Sequence, residues 1–77
     1  MGLLIMSYNG CKNYETWNVV LWILNDEGLY NIAQDCRNYD EFVDTMFSLD
    51  SLKTPDNVSW NDIEIDAEEV NESCFEN

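Results

Sequence analysis

The chain has 77 residues, 45% of them hydrophobic and 13% aromatic, with sixteen Asp and Glu against three Lys and Arg and no histidine. That length bounds it to a single domain, residues 1–77, with a small core, and the apolar fraction is too high for a wholly disordered acidic polypeptide. A net charge of −13 argues against direct binding to nucleic acid or to an anionic membrane, and it asks for a basic partner.

The charge is unevenly placed. Residues 1–38 carry four acids and two bases, whereas residues 39–77 carry twelve acids and one base. The first half is composed to pack and the second to meet a partner. Cys11, Cys36 and Cys74 are odd in number and far apart, with no C-x-x-C spacing and no histidine to complete a zinc site, so free thiols are expected. The opening MGLLIM is too short for a signal-peptide core or a membrane span. Residues 1–7 are therefore expected to form an N-terminal extension, and the protein is placed in the cytoplasm.

In chain order, the first predicted helix follows Asn13, a good N-cap with Glu15 in the first turn. Tyr14, Trp17, Leu21 and Leu24 recur at helical spacing with Val20 beside them. Val19, Trp22 and Ile23 lie off that stripe, so the helix is apolar nearly all round and is expected to be central, with its indoles in the core. Asn25-Asp26-Glu27-Gly28 reads as a break that caps a second helix, about Glu27 to Cys36, with Leu29, Tyr30, Ile32, Ala33 and Cys36 inward. A third helix is predicted from after Asn38 to about Leu49, with Tyr39, Phe42, Val43, Met46 and Phe47 inward and Asp40, Glu41 and Asp44 outward. Residues 50–61 form the least regular part, with a turn at Thr54-Pro55-Asp56-Asn57 and Val58 and Trp60 as anchors. Residues 61–66 fit helix or strand. A helix over 67–75 with Asp66 as its N-cap is favoured. The fold class is thus mostly α: a compact bundle of three to four short helices with an irregular Pro-containing loop and an acidic C-terminal segment, residues 62–77.

On a continuous C-terminal helix, Glu64, Glu68, Glu72 and Glu76 would stack at i, i+4, i+8 and i+12, flanked by Asp62, Asp66 and Glu69. Like charges at this spacing cost roughly 0.2–0.5 kcal/mol a pair, a penalty that a surface selected for solubility would avoid by mixing signs. Four residues of helix rise about 6 Å, comparable with the spacing of successive phosphates along a strand. Such a ladder would offer a basic groove the charge pattern of DNA. The plainer reading is a solvated acidic tail that aids solubility. Calcium binding is disfavoured, because Asp56-Asn57-Val58-Ser59-Trp60-Asn61-Asp62 has Val at a ligand position and no turn glycine. No cofactor motif is present. Catalysis is not expected either: there is no histidine, phosphate loop or nucleophile elbow, and the paired acids Asp26-Glu27 and Asp40-Glu41 fit helix starts.

The segment Tyr8-Asn-Gly-Cys-Lys-Asn-Tyr-Glu-Thr-Trp-Asn-Val-Val-Leu-Trp-Ile-Leu-Asn-Asp-Glu-Gly-Leu-Tyr30 resembles a family of small uncharacterised proteins of bacteriophages and mobile elements that share a YNGYxNYETWNVxLWIxNDEGLY opening. Thr54-Pro-Asp-Asn-Val-Ser-Trp-Asn-Asp62 is similar to their TPDGVxWxD segment, with Asn57 where glycine is usual and, earlier, Cys11 where an aromatic is usual. The resemblance implies a phage context, in which small acidic proteins often disarm host enzymes that handle DNA. The polar residues Glu15, Thr16, Asn18, Asn25 and Asp26 of the motif read most simply as caps and as fixing the joint between the first two helices.

The leading functional expectation is a non-enzymatic phage inhibitor in the host cytoplasm, a DNA mimic that blocks the basic nucleic-acid-binding surface of a host defence or DNA-processing protein. Asp40, Glu41, Asp44, Asp62, Glu64, Asp66, Glu68, Glu69 and Glu72 would carry the contact, and a homodimer would lengthen the acidic face. The alternative is a host-takeover adaptor that binds through an apolar patch around the YETWN helix, with the acids serving solubility.

Overall fold

The computed structural model describes residues 11–75; the expected extension at 1–7 and Glu76 lie outside them. Helix α1 spans Tyr14–Asn25, with the Asn13 side chain accepting from the Thr16 amide at 2.9 Å. Asp26 is at once the C-cap of α1 and the N-cap of α2, Glu27–Gln34, and its side chain accepts from the Leu29 amide at 3.1 Å. A one-residue joint therefore sets the turn between the two helices. Helix α3, Tyr39–Ser48, starts at Asn38, whose side chain accepts from the Glu41 amide. The end of α3 is a Schellman turn: the Asp50 amide bonds to Phe47 O, the Ser51 amide bonds to Met46 O, and Asp50 adopts φ +65°.

Residues 51–60 are irregular, as expected, apart from one small hairpin. Thr54 and Val58 close a three-residue loop through a 2.8 Å amide bond, and Asn57, at φ +72°, supplies the left-handed residue that such loops require. Asparagine tolerates this region better than most residues. An isolated antiparallel bridge, Lys53 to Ser59, extends the hairpin by one pair. Residues 61–66 are neither helix nor strand but successive turns. Asp66 then caps α4, Ala67–Val70, accepting from the Glu68 and Glu69 amides. The chain continues through a π-type turn, Asn71–Phe75.

The core gathers Val19 and Ile23 of α1, Ala33 of α2, Tyr39, Phe42 and Met46 of α3, Val58 and Trp60 of the loop, and Val70 of α4. Trp60 is 1% exposed and meets Phe42 edge-on at 5.3 Å between ring centroids, while Tyr39 donates to the Trp60 carbonyl at 2.6 Å. The C-terminal turn reaches α1 and α2, and its Phe75 ring lies 6.1 Å from that of Phe42 in α3. Its Asn71 side chain accepts from the Tyr39 amide at 2.7 Å, fixing the start of α3.

Three expectations about packing are corrected. The buried side of α1 is Thr16, Asn18, Val19 and Ile23, not the stripe Tyr14, Trp17, Leu21 and Leu24; Tyr14 and Leu24 are 38% and 45% exposed. A helix apolar all round leaves its own rotation open, and the buried polar groups decide it. Only this orientation lets the Thr16 hydroxyl accept from the Asp66 amide at 2.9 Å and Asn18 reach the hairpin. Tyr30 and Phe47, expected inward, are partly exposed at the flanks of α2 and α3. Trp17 and Trp22 are half-buried, leaving Trp60 as the core indole.

Candidate functional site

Helix α1 and the Thr54–Val58 hairpin meet in one hydrogen-bonded joint. Asn18, fully buried, donates to Asp56 Oδ2 at 2.7 Å and accepts from the Thr54 hydroxyl at 2.7 Å. The Trp22 indole N–H donates to the same Asp56 oxygen at 2.9 Å. The Thr54 hydroxyl oxygen in turn accepts from the Asp56 and Val58 amides, both at 3.2 Å. These two side-chain donors, Trp22 first and then Asn18, hold the Asp56 carboxyl below its ordinary range, against the opposing effect of burial. Asn18 is thus neither a cap nor part of the α1–α2 joint, and this role is a correction to the capping expectation. Asn25 back-bonds to the Leu21 carbonyl within its own helix. The joint was not foreseen, although a buried Asn and a Pro-Asp turn are the residue types that tie a helix to a loop.

The nine acidic residues expected to meet a partner fall into two sets. Four do internal work. Glu41 accepts from the Arg37 side chain at 2.7 and 2.9 Å and from its backbone amide at 2.9 Å, and the Arg37 hydrogen bonds hold its carboxyl low. Asp66 caps α4 and lies 3.7 Å from the Lys12 ammonium. Glu69 accepts from the Lys12 amide at 2.8 Å, and Asp62 accepts from the Glu64 amide at 2.8 Å. The other five, Asp40, Asp44, Glu64, Glu68 and Glu72, are exposed.

The ladder on one helical row is corrected. Glu64 lies in the turns before α4, and beyond Val70 the winding widens to i→i+5, so of the described members of the ladder Glu68 and Glu72 lie on the helical segment. A different convergence takes its place. Asp40 and Asp44 of α3 and Asp62 of the loop line one hollow, whose remaining wall is Tyr39, Val43, Trp60, Asn61, Ile65 and Ala67. Carboxylates one helical turn apart, faced by a third from a separate element over apolar walls, suit a cationic side chain with an aliphatic stem.

A second hollow lies along the outer side of α1, lined by Cys11, Trp17, Val20, Leu21, Leu24, Asn25 and Ser73. The thiols nearby are unreactive in character. Burial, then the neighbouring Cys11, pushes Cys74 up to about 12, and burial followed by the Glu69 charge raises Cys11. Neither is primed as a nucleophile. Among the described residues no helix is long and apolar enough to cross a membrane.

Fold and site together define a small acidic helical domain, tied by side-chain bonds from its first helix to its loops and displaying unneutralised carboxylates from α3 and the C-terminal segment. The chain belongs to a family of unknown function, DUF7249, whose family model matches residues 5–77. Neither a curated protein nor a solved structure matches it.

Proposed function

We propose that the chain is a phage-encoded acidic inhibitor that occupies the basic, nucleic-acid-binding surface of a host defence or DNA-processing protein in the host cytoplasm. The observation that carries this reading is the contrast between spent and unspent charge. Lys12 and Arg37 are paired with Asp66 and Glu41, while Asp40, Asp44, Glu64, Glu68 and Glu72 face solvent in a half of the chain that holds a single base, Lys53. A basic groove that gains free energy by releasing counterions on binding phosphates gains similarly from such a surface. The phage context rests on the resemblance carried by the Tyr8–Tyr30 and Thr54–Asp62 segments.

The test is affinity capture from a bacterial lysate with the wild-type chain and with Asp44→Asn, Glu64→Gln and Glu72→Gln combined, washed at two salt concentrations. A nucleic-acid-handling protein that is retained by the wild type, lost by the variant and released by salt supports the proposal. A partner held equally by both at either salt concentration sinks it.

One observation favours a second reading, an adaptor that docks through α1. The stripe predicted for the core lies on its outer side, with Leu24 45% exposed beside the hollow that Trp17, Val20 and Leu21 line. Under that reading Leu24→Glu abolishes capture while neutralising the carboxylates leaves it intact.

A further inference from the structure

Ile63 is 93% exposed, more than any other large apolar side chain among the described residues. A single exposed apolar residue on a mobile tip would mean little, but this one is held from both sides. The Asp62 amide bonds to Ser59 O and the Ile65 amide to Asp62 O, each at 3.0 Å. The Asp62 carboxylate accepts from the Glu64 amide, the Asn13 side chain donates to the Glu64 carbonyl at 2.7 Å, and the Asp66 amide donates to Thr16. Asp62, Glu64 and Asp66 are therefore bonded to residues outside the segment, and Ile65 packs against the core. Ile63 buries almost nothing in return, so the folded chain gains no core contact from it.

Its surroundings are charged. Asp62 and Glu64 flank it in sequence, and Asp62 also lines the hollow shared with Asp40 and Asp44. An apolar side chain carried on an ordered backbone, next in sequence to two acids of which Asp62 lines the hollow, has the arrangement of an interface anchor: an apolar contact that is desolvated on binding, beside charges that set orientation. Pre-ordering of the loop removes the entropy that a flexible tip would lose on binding.

We infer that Ile63 and the Asp40–Asp44–Asp62 hollow form one docking surface for a basic protein segment that carries an apolar residue among its lysines or arginines. The inference rests on the acidic-face reading and deepens it: a partner of this chemistry is recognised by an apolar contact as well as by charge. Charge alone predicts that any polycation of equal charge binds equally well.

Two twelve-residue peptides serve as probes. One alternates Lys and Gly, and the other is the same peptide with its two central glycines changed to leucine. Calorimetric titration at one fixed ionic strength, against wild type, Ile63→Ser, and the combined Asp40→Asn, Asp44→Asn, Asp62→Asn variant, separates the two levels. The expected result is that the wild type binds the leucine peptide about tenfold more tightly, the size of effect that burial of an aliphatic pair gives. Ile63→Ser removes that preference and leaves the affinity for the Lys-Gly peptide unchanged. Equal binding of the two peptides by the wild type, or a preference that survives Ile63→Ser, overturns the inference while leaving the acidic-face reading in place. If instead the triple variant binds both peptides as the wild type does, the hollow is not the site and the inference fails, while the acidic-face reading, which also rests on Glu64, Glu68 and Glu72, is decided by the capture experiment. A melting curve for each variant confirms that the fold is kept, and Ile63→Ser, at so exposed a position, holds the comparison open should the triple variant unfold.

Discussion

Replacing Asn18 by alanine removes the amide that joins α1 to the hairpin. Asn18 is 0% and Thr54 3% exposed, so the Thr54 hydroxyl, which donates to Asn18 Oδ1 at 2.7 Å, would lose its acceptor in a place water does not readily reach. A lost buried hydrogen bond costs about 1 kcal/mol net, and a buried group left unsatisfied costs about 1–3 kcal/mol. Together the loss is about 2–4 kcal/mol, with the bond to solvent-facing Asp56 left out because water can replace it there. A domain of this length has a total stability of roughly 4–11 kcal/mol, so the variant loses a large fraction of it. Urea unfolding followed by tryptophan fluorescence should show a lower midpoint at unchanged slope, and melting should fall by about 4–8 °C for each kcal/mol lost. Adding Thr54→Val to Asn18→Ala should cost less than the sum of the single changes, because the second removes the orphan that the first creates. An Asn18→Ala variant within about 0.5 kcal/mol of wild type, or strict additivity with Thr54→Val, would refute the claim that this amide holds the loop to the helix.

The left-handed residues Asp50 and Asn57 make a second prediction: Asp50→Gly and Asn57→Gly should each stabilise by roughly 0–1 kcal/mol, with relief of the positive φ set against the greater freedom of glycine in the unfolded chain, read from the urea midpoint. The Asp56 carboxyl provides a third, through the Trp22 indole N–H resonance. Because the folded group titrates below its unfolded value of about 3.9, its contribution is fully present above that value and is lost as pH falls through the lower folded value. The indole resonance should therefore shift only below about pH 4, and Asp56→Asn should abolish the titration. The Cys74 thiol is a fourth: pushed up to about 12, it should resist iodoacetamide at neutral pH in the folded chain and react on addition of urea, as peptide mass mapping would show.

The fold was legible where local chemistry and periodicity agreed. Asn13, Asp26, Asn38 and Asp66 announce four helix starts, and each is the N-cap observed, because a short polar side chain before an apolar run satisfies free amides in only one way. The core anchors Val58 and Trp60 were equally readable, standing alone in a polar stretch. What could not be read was the rotation of α1. With apolar residues on every side, the choice between two faces depends on partners thirty or more residues away, the Thr54 hydroxyl, the Asp56 carboxylate and the Asp66 amide, and no local pattern carries that information. The same limit applies to the carboxylates: the convergence of Asp40 and Asp44 with Asp62 follows from how α3 meets the loop, whereas the ladder needed a helix extending back to Glu64. The turns at 61–66 replace that helix because their amides find partners in Asp62, Ser59 and Thr16.

A net charge of −13 should strain so small a fold, and the placement of the acids shows how the strain is contained. Asp40 and Glu41 stand in the first turn of α3 and Glu68 and Glu69 in the first turn of α4, while no base stands in the last turn of any of the four α-helices. A carboxylate near a helix N-terminus interacts favourably with the helix dipole, by roughly 0.3–1 kcal/mol at an exposed site. These first-turn acids therefore offset part of the repulsion they create. Asp44, in the middle of α3, and Glu64, in the turns, have no such compensation, and neither does Glu72, which follows α4 without a new helix start. Neutralising these three should leave stability unchanged or raise it slightly by lowering self-repulsion, whereas neutralising Asp40 and Glu68 should lower it. Comparing the two sets separates acids that serve the fold from acids kept despite their cost. If Asp44→Asn, Glu64→Gln and Glu72→Gln together destabilise the chain as much as the first-turn changes do, their carboxylates serve the fold, and the case for a surface retained for a partner loses its physical basis.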